Sequence, residues 1–279
     1  MYSTLQRVSQ RKIAAVGLFL LLIVIIIAVI APLIVPMNPE EQNIVERLQP
    51  PGWTDEEGVK HWLGTDQLGR DVLSRVIVGS RVSIMVAAGA VIIGGTIGLI
   101  VGLVSGYSGG WIDSVLMRIV DMQLAFPFLL LALTMVTILG PSVMNVVLVL
   151  SVTSWISYAK VVRSSVLSIK HLEFIEATRA IGASRFTILF RHILPNIISP
   201  FIVVASFQVA TLIIAESSLS FLGLGVPASQ PTWGGMLADG REYMSDAWWI
   251  AVFPGMMLMV VAMSANLFGD GLRDALDPR

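Results

Sequence analysis

The 279-residue chain is 55% hydrophobic and only 13% charged, with a mean hydropathy of +0.81 and a formal net charge of −1. An ordinary soluble domain is about one quarter charged, so a freely soluble globular enzyme is excluded and the chain reads as a membrane protein. Cysteine is absent, which removes thiol catalysis, disulfides and thiolate metal sites, and no lysine follows a glycine, which removes the Gly-Lys pair of a phosphate-binding loop.

A spanning helix needs about 20 apolar residues, and charge-poor runs of that size occur at Ile13–Val35, Val82–Val104, Met122–Gly140, Pro141–Ala159, Asn196–Ala215 and Ala247–Gly269. A helix satisfies its own backbone in lipid, so the expected fold class is all-α, a polytopic membrane bundle of six transmembrane helices. The first run follows Arg7, Arg11 and Lys12, but it is long for a signal peptide and lacks a small-x-small cleavage site before Pro32, so it is expected to be retained. With the N-terminus inside, the inner segments also hold Lys160, Arg163, Lys170, Arg179, Arg185, Arg191, Arg273 and Arg279. The outer ones hold only Arg47, Lys60, Arg70, Arg75, Arg81 and Arg241. The excess of basic residues places both termini on the cytoplasmic side.

Between the first two spans lies the longest hydrophilic stretch, Met37–Arg81, whose PPGWTDEEG core reads as turn and loop. Its second half sets Leu68, Val72, Arg75 and Val76 at helical spacing behind Asp66, which predicts a short helix lying against the membrane with Asp66 as its N-cap. In the second span Gly94, Gly98, Gly102 and Gly106 recur every four residues, a narrow small-residue face for close packing against another helix. Asp113, Arg118 and Asp121 enter the third span. Arg118 and Asp121 share a helical face and are expected to pair, either as a structural ion pair or as charges of a substrate pathway.

The loop between Lys160 and Pro195 is too charged for lipid, and its pattern predicts helix, Gly182 turn, then a second helix capped by Ser184 and stopped by Pro195. Phe186, Leu189, Phe190 and Ile193 fall on one side of that second piece, more apolar surface than an isolated loop leaves in water. Two readings fit: a hairpin lying on lipid headgroups with Arg185 and Arg191 snorkelling, or a surface covered by a partner. Farther on, Glu216 ends the fifth span, placed either in an outward vestibule where it reads a cationic amine or simply at the interface. The methionines Met122, Met135, Met144, Met256, Met257, Met259 and Met263 are expected to fill gaps in the bundle rather than line a metal path. His61, His171 and His192 lie in different segments without paired ligand spacing, so no metal site is expected.

Glu176-Ala177-Thr178, Gly182 four positions after Thr178, and Leu194-Pro195 resemble the EAA motif of ABC-importer permeases, with Thr178 where alanine is usual and His192 where isoleucine is usual. Further stretches, LGTDQLGRDVLSR, ESSLSFLGLG, PTWGGMLADGREYMSDAWW and GDGLRDALDPR, resemble the dipeptide, oligopeptide and nickel permease group, and its dipeptide-type C subunit in particular. The resemblance covers nearly the whole chain. It implies the ABC type I importer permease fold over residues 82–279, preceded by a tail, first helix and extracytoplasmic segment over 1–81. It makes the hairpin of residues 168–194 a coupling element that meets an ATPase through Glu176, Ala177, Thr178, Arg179, Gly182, Ala183 and Ser184.

No cofactor is then expected in this chain, since ATP and Mg²⁺ belong to partner subunits. The implied partners are a second homologous permease, two ATP-binding subunits, an extracytoplasmic substrate-binding protein and the lipid of a bacterial or archaeal plasma membrane, with no nucleic acid. Di- and oligopeptides are the favoured cargo, with nickel chelates or glutathione as alternatives within the group. From another class, a stand-alone secondary transporter would use Asp121 and Glu216 as proton sites, but the halves of the chain show no internal repeat of the kind many such carriers have.

Overall fold

The computed structural model describes residues 12–276, so Arg7, Arg11 and the Asp277-Pro278-Arg279 ending lie outside the described residues. Helices α1 (Lys12–Ile34), α2 (Val72–Ser108), α5 (Val143–Ile169), α7 (Arg185–Phe221) and α9 (Trp249–Leu276) are each long and apolar enough to cross a membrane. Helices α3 (Gly110–Leu124) and α4 (Phe128–Leu139) form a further pair bent by 88°, which makes six spans if the pair counts as one. The short helices α6 (Glu173–Ala180) and α8 (Trp233–Arg241) sit at opposite ends of the bundle. Outward-facing Phe19, Val29 and Leu33 on α1 are at least 63% exposed, an apolar surface that suits lipid.

The α2 glycines build the central contact. Gly94 faces Ser151 and Ser154, Gly98 faces Tyr158 and Ala159, Gly102 faces Ala159 and Val162, and Gly106 faces Arg163 and Val166, all on α5. A Cβ at Gly106 would stand 2.7 Å from Val166 Cβ, so only a missing side chain lets the two backbones come this close. The core continues from this seam through Val86, Ala90, Val146, Leu150, Ile213 and Leu219. α1 packs antiparallel on α9, with Gly17 against Ser264 and Phe268 and Ala14 against Gly271.

Three expected elements differ. Helix α2 has 37 residues, which at 1.5 Å per residue is about 55 Å, against about 30 Å of hydrocarbon. Its first turns therefore stand clear of the span as part of a cap, and there is no separate short helix before it; the division at residue 81 falls inside this one helix. Asp71, not Asp66, is its N-cap and accepts from Ser74 N at 2.7 Å. Asp66 instead closes a loop by accepting from Leu68 N and Arg70 N, because Gly69 at φ +73° turns the chain back before a helix can begin.

The third apolar run is not one helix. Pro127 has no N–H and disfavours the helical region for the residue before it, and α3 ends with Ala125 N and Phe126 N bonded to Asp121, Met122 and Gln123 carbonyls. Gln123 then locks the bend to α5: its Nε2 donates to Val152 O at 2.5 Å and its Oε1 accepts from Trp155 Nε1 at 3.0 Å.

Pro195 does not stop the loop's second helix. Residues Ile188–Ile193 form a π-helical segment, whose wider turn leaves room for the pyrrolidine ring and for the carbonyl that Pro195 cannot bond. Asn196 Nδ2 donates to His192 O at 2.6 Å across the same turn, and α7 runs on into the membrane.

The cap is built from the segment between α1 and α2 together with α8. A two-residue hairpin, β1 (Trp53–Thr54) with β2 (Lys60–His61), pairs Trp53 with His61. Arg70 and Arg75 are buried, reach Asp66 at 2.7 and 3.4 Å, and extend to Asp239 on α8 at 3.5 and 3.9 Å. Trp249 Nε1 donates to Thr65 O at 3.0 Å, which seats the cap on α9.

Candidate functional site

At the end opposite the cap, α6 and the first turns of α7 form the hairpin anticipated from the loop sequence. Gly182 has φ +85°, and a Cβ there would meet nothing within 4 Å, so glycine is needed for the backbone turn rather than for space. Ser184 accepts from Thr187 N at 3.2 Å and caps the next helix. Thr178 Oγ1 turns inward to Phe174 O at 2.7 Å, which leaves the flank of α6 smooth.

The hairpin is anchored on one side and bare on the other. Ile175, Ile188 and Ile193 are buried against Val162, Val166 and Ile197, while Ile181 is 84% exposed, Phe186 73% and Phe190 55%. The apolar side expected from the sequence thus divides: Leu189 and Ile193 turn inward, because the π segment widens the helix, and Phe186 and Phe190 stack on each other with centroids 5.3 Å apart. Glu176, Ala177, Arg179, Gly182 and Ser184 are exposed around that pair, with Thr178 and Ala183 half-buried. A groove of about 740 Å³ separates Arg179, Ala183, Arg185 and Phe186 from Tyr107 and Ile112 at the α2–α3 junction.

That junction is held by charge. Arg163 on α5 donates from Nε and Nη2 to the two oxygens of Asp113, each at 2.6 Å, and Ser105 Oγ donates to the same carboxylate at 2.5 Å. Such a bidentate pair fixes orientation as well as distance. Lys170 Nζ donates to Gly106 O at 2.9 Å and ties the loop to the end of α2.

The expected Arg118–Asp121 pair does not form. Along a helix at 100° per residue, Asp113 lies about 20° from Val120 but about 80° from Asp121 and about 140° from Arg118. Val120 is the buried residue of α3, so the face that meets α5 takes Asp113, and Arg118 and Asp121 stand exposed on the uncovered flank.

Glu216 also differs from its expected place. It has no exposure and is enclosed by hydroxyls: Ser220 Oγ donates at 2.7 Å, Ser83 Oγ at 3.3 Å and Ser217 Oγ at 3.5 Å. Ser83 also accepts from Trp233 N, so the carboxylate ties α2, α7 and α8 together at the cap end rather than opening into a vestibule. Ser217 and Ser220 stand beside Glu216 in the AESSLS stretch, but nothing there marks them as its partners, and Ser83 is far along the chain and gave no signal. Of the seven methionines expected to fill gaps, Met122, Met144, Met256, Met259 and Met263 are 45% or more exposed in this chain, while Met135 and Met257 pack on the core.

Comparison with known proteins adds identity to this geometry. Residues 94–279 match the family described as binding-protein-dependent transport system inner membrane component, and residues 2–51 match the N-terminal TM domain of oligopeptide transport permease C. The chain is 42% identical over 278 residues to the dipeptide transport system permease protein DppC of Alkalihalophilus pseudofirmus, covering 98% of this chain and 88% of that one. It is 40% identical to the DppC of Bacillus subtilis, covering 98% and 84%. The glutathione transport system permease protein GsiD of Pectobacterium atrosepticum is 42% identical, covering 97% and 88%. Among solved structures, the inward-facing MetNI methionine ABC transporter aligns with a TM-score of 0.61 at 20% identity, over 74% of this chain and 98% of that one, a likeness of fold.

Proposed function

Because the chain belongs to the family of binding-protein-dependent transport system inner membrane components, we propose that it is one half of the membrane path of an ATP-driven importer for di- and oligopeptides. As a permease component it moves a solute rather than converting one, and ATP hydrolysis resides in separate subunits. The observation that supports coupling is the bare side of the hairpin: Ile181, Phe186 and Phe190 stand exposed around a glycine turn. An apolar patch of this kind at the end of a bundle calls for a partner.

In this reading an ATP-binding subunit covers the patch and contacts Glu176, Ala177, Thr178, Arg179, Gly182, Ala183 and Ser184. Its movement on ATP binding reaches the spans through α7, since no break in the helix separates Arg185 from Phe221. The buried isoleucines and the Arg163–Asp113 pair carry the same displacement to α5 and α3. A second homologous permease, two ATPases with their ATP and Mg²⁺, and an extracytoplasmic binding protein complete the assembly. The cap and α8 face outward toward that binding protein, and both termini lie in the cytoplasm of a bacterial or archaeal cell.

The exposed flank of α3 faces the second permease, and Arg118 and Asp121 supply opposite charges to the path between the halves. A zwitterionic peptide presents both signs to such a pair. Uptake of a labelled dipeptide by the complete assembly tests the cargo. Unlabelled di- and tripeptides are expected to compete, with glutathione and nickel-histidine competing at least tenfold less well. Stronger competition by glutathione or by the nickel chelate would assign the chain to that cargo instead.

A further inference from the structure

The cap forms a half-open cavity of about 370 Å³ that transport as described above does not use. Its wall sets Glu46, Asp55 and Asp71 around His61, with three further glutamates and no lysine or arginine. An acidic wall alone would be no more than a solvated surface. What distinguishes this one is His61, which is 5% exposed and lies in the wall with one ring nitrogen engaged and the other not.

The engaged nitrogen is Nδ1, at 3.0 Å from Asp71 Oδ1. Asp71 Oδ2 already accepts from Ser74 N and Ser74 Oγ, at 2.7 and 2.6 Å, so this carboxylate is an acceptor on both oxygens and Nδ1 is the donor. In the neutral ring the lone pair then sits on Nε2. The ring is held by stacking on Trp53, centroids 5.5 Å apart, which is its cross-strand partner in the β1–β2 hairpin. A carboxylate behind an imidazole, fixing its tautomer and aim, is the usual outer arrangement of a metal-ligating histidine.

In front of Nε2 lie two carboxylates. Asp55 Oδ1 accepts from Glu57 N at 2.9 Å and Val59 N at 2.7 Å, which fixes the side chain and leaves Oδ2 pointing to His61. The Nε2 to Oδ2 distance is 4.0 Å, too long for a hydrogen bond. Glu46, on the turn Ile44–Glu46, brings a third ligand atom, and one atom each from Glu46, Asp55 and His61 lie within 4.8 Å of one another. A tetrahedral cation bonded at about 2.0–2.2 Å to nitrogen and oxygen holds its ligand atoms about 3.3–3.6 Å apart, so binding would close the Nε2 to Oδ2 gap by about half an ångström and draw the widest pair in by up to somewhat over an ångström.

We propose that Glu46, Asp55 and His61 bind one divalent first-row transition-metal ion, with Asp71 as the positioning carboxylate. One imidazole with two carboxylates and no sulfur suits zinc or a neighbouring metal better than the all-oxygen cations calcium and magnesium. The ion joins the turn after α1 to the hairpin and, through Asp71, to the start of α2, adding to the bonds that already connect these segments, such as Thr65 Oγ1 to Glu46 O, Val72 N to Gly64 O and Met37 N to Ser74 Oγ. It acts as a clip on the cap, and it stands independently of which solute the spans carry.

The test uses the untagged full-length chain in lipid nanodiscs whose scaffold protein also lacks a histidine tag, stripped with chelator and titrated with Zn²⁺ against a chromophoric competitor. The background is low, since the chain has no cysteine and three histidines in all. One equivalent is expected to bind, and Glu46→Gln and Asp55→Asn are each expected to weaken binding at least tenfold. Asp55→Asn keeps an oxygen for the two backbone donors, so the turn survives while a ligand charge is lost. Should either variant misfold, Co²⁺ added to the wild-type chain decides. Intense visible bands from a low-symmetry nitrogen and oxygen site support the proposal, and the spectrum of the hydrated ion contradicts it. Absence of one-equivalent Zn²⁺ uptake overturns it. Unchanged affinity in both folded variants overturns it equally.

Discussion

At the scale of single residues, the α2 glycines show how composition becomes geometry. A Cβ at Gly98 would stand 2.5 Å from Tyr158 Cβ and 2.9 Å from Ala159 N, so Gly98→Ala must push α5 away. We expect it to destabilise the chain by about 1–3 kcal/mol. Gly255→Ala in α9 is the control, since its Cβ would meet only Leu237 Cδ2 at 3.8 Å, and removing a helical glycine there should be neutral or gain up to about 1 kcal/mol. Thermal unfolding of the two purified variants in one detergent checks the opposite signs; equal losses would remove the argument for a glycine seam. The four-residue spacing made this seam legible in advance. The serine cage of Glu216 was not legible, because a charge at the end of an apolar run looks the same whether it faces water or is wrapped by hydroxyls from another helix.

At the scale of elements, the hairpin was readable because its signals are local: a glycine where φ must be positive, a serine that caps, and apolar residues at helical spacing. The broken third span was harder, since both halves are apolar and only Pro127 marks the bend, a residue that elsewhere in this chain sits inside helices, as Pro200 and Pro254 do. The acidic cavity left no trace in spacing, as Glu46, Asp55 and His61 come together only through a turn and a two-residue hairpin. The hairpin itself can be tested through Gly182. Valine at φ +85° is strained by roughly 1–3 kcal/mol, and with open space around it the strain falls on the turn alone. In the complete assembly Gly182→Val is expected to reach the membrane normally and to lose at least tenfold in uptake, with Gly182→Ala losing less. Wild-type uptake and normal substrate-stimulated ATP hydrolysis in Gly182→Val would show that the turn does not couple.

At the scale of the whole molecule, the surfaces left bare are as informative as the core. The hairpin patch, the charged flank of α3 and the outward methionines of α9 are unfinished faces, consistent with a chain that works only among other subunits. Reconstitution measures this dependence directly. Proteoliposomes holding this chain alone are compared with ones holding both permeases and both ATPases, with binding protein and labelled dipeptide outside and ATP inside. The account predicts uptake against a gradient in the complete set only, abolished by omitting ATP, and none from this chain alone with or without an imposed proton gradient. Proton-driven uptake by the chain alone would contradict it and make the protein a secondary transporter.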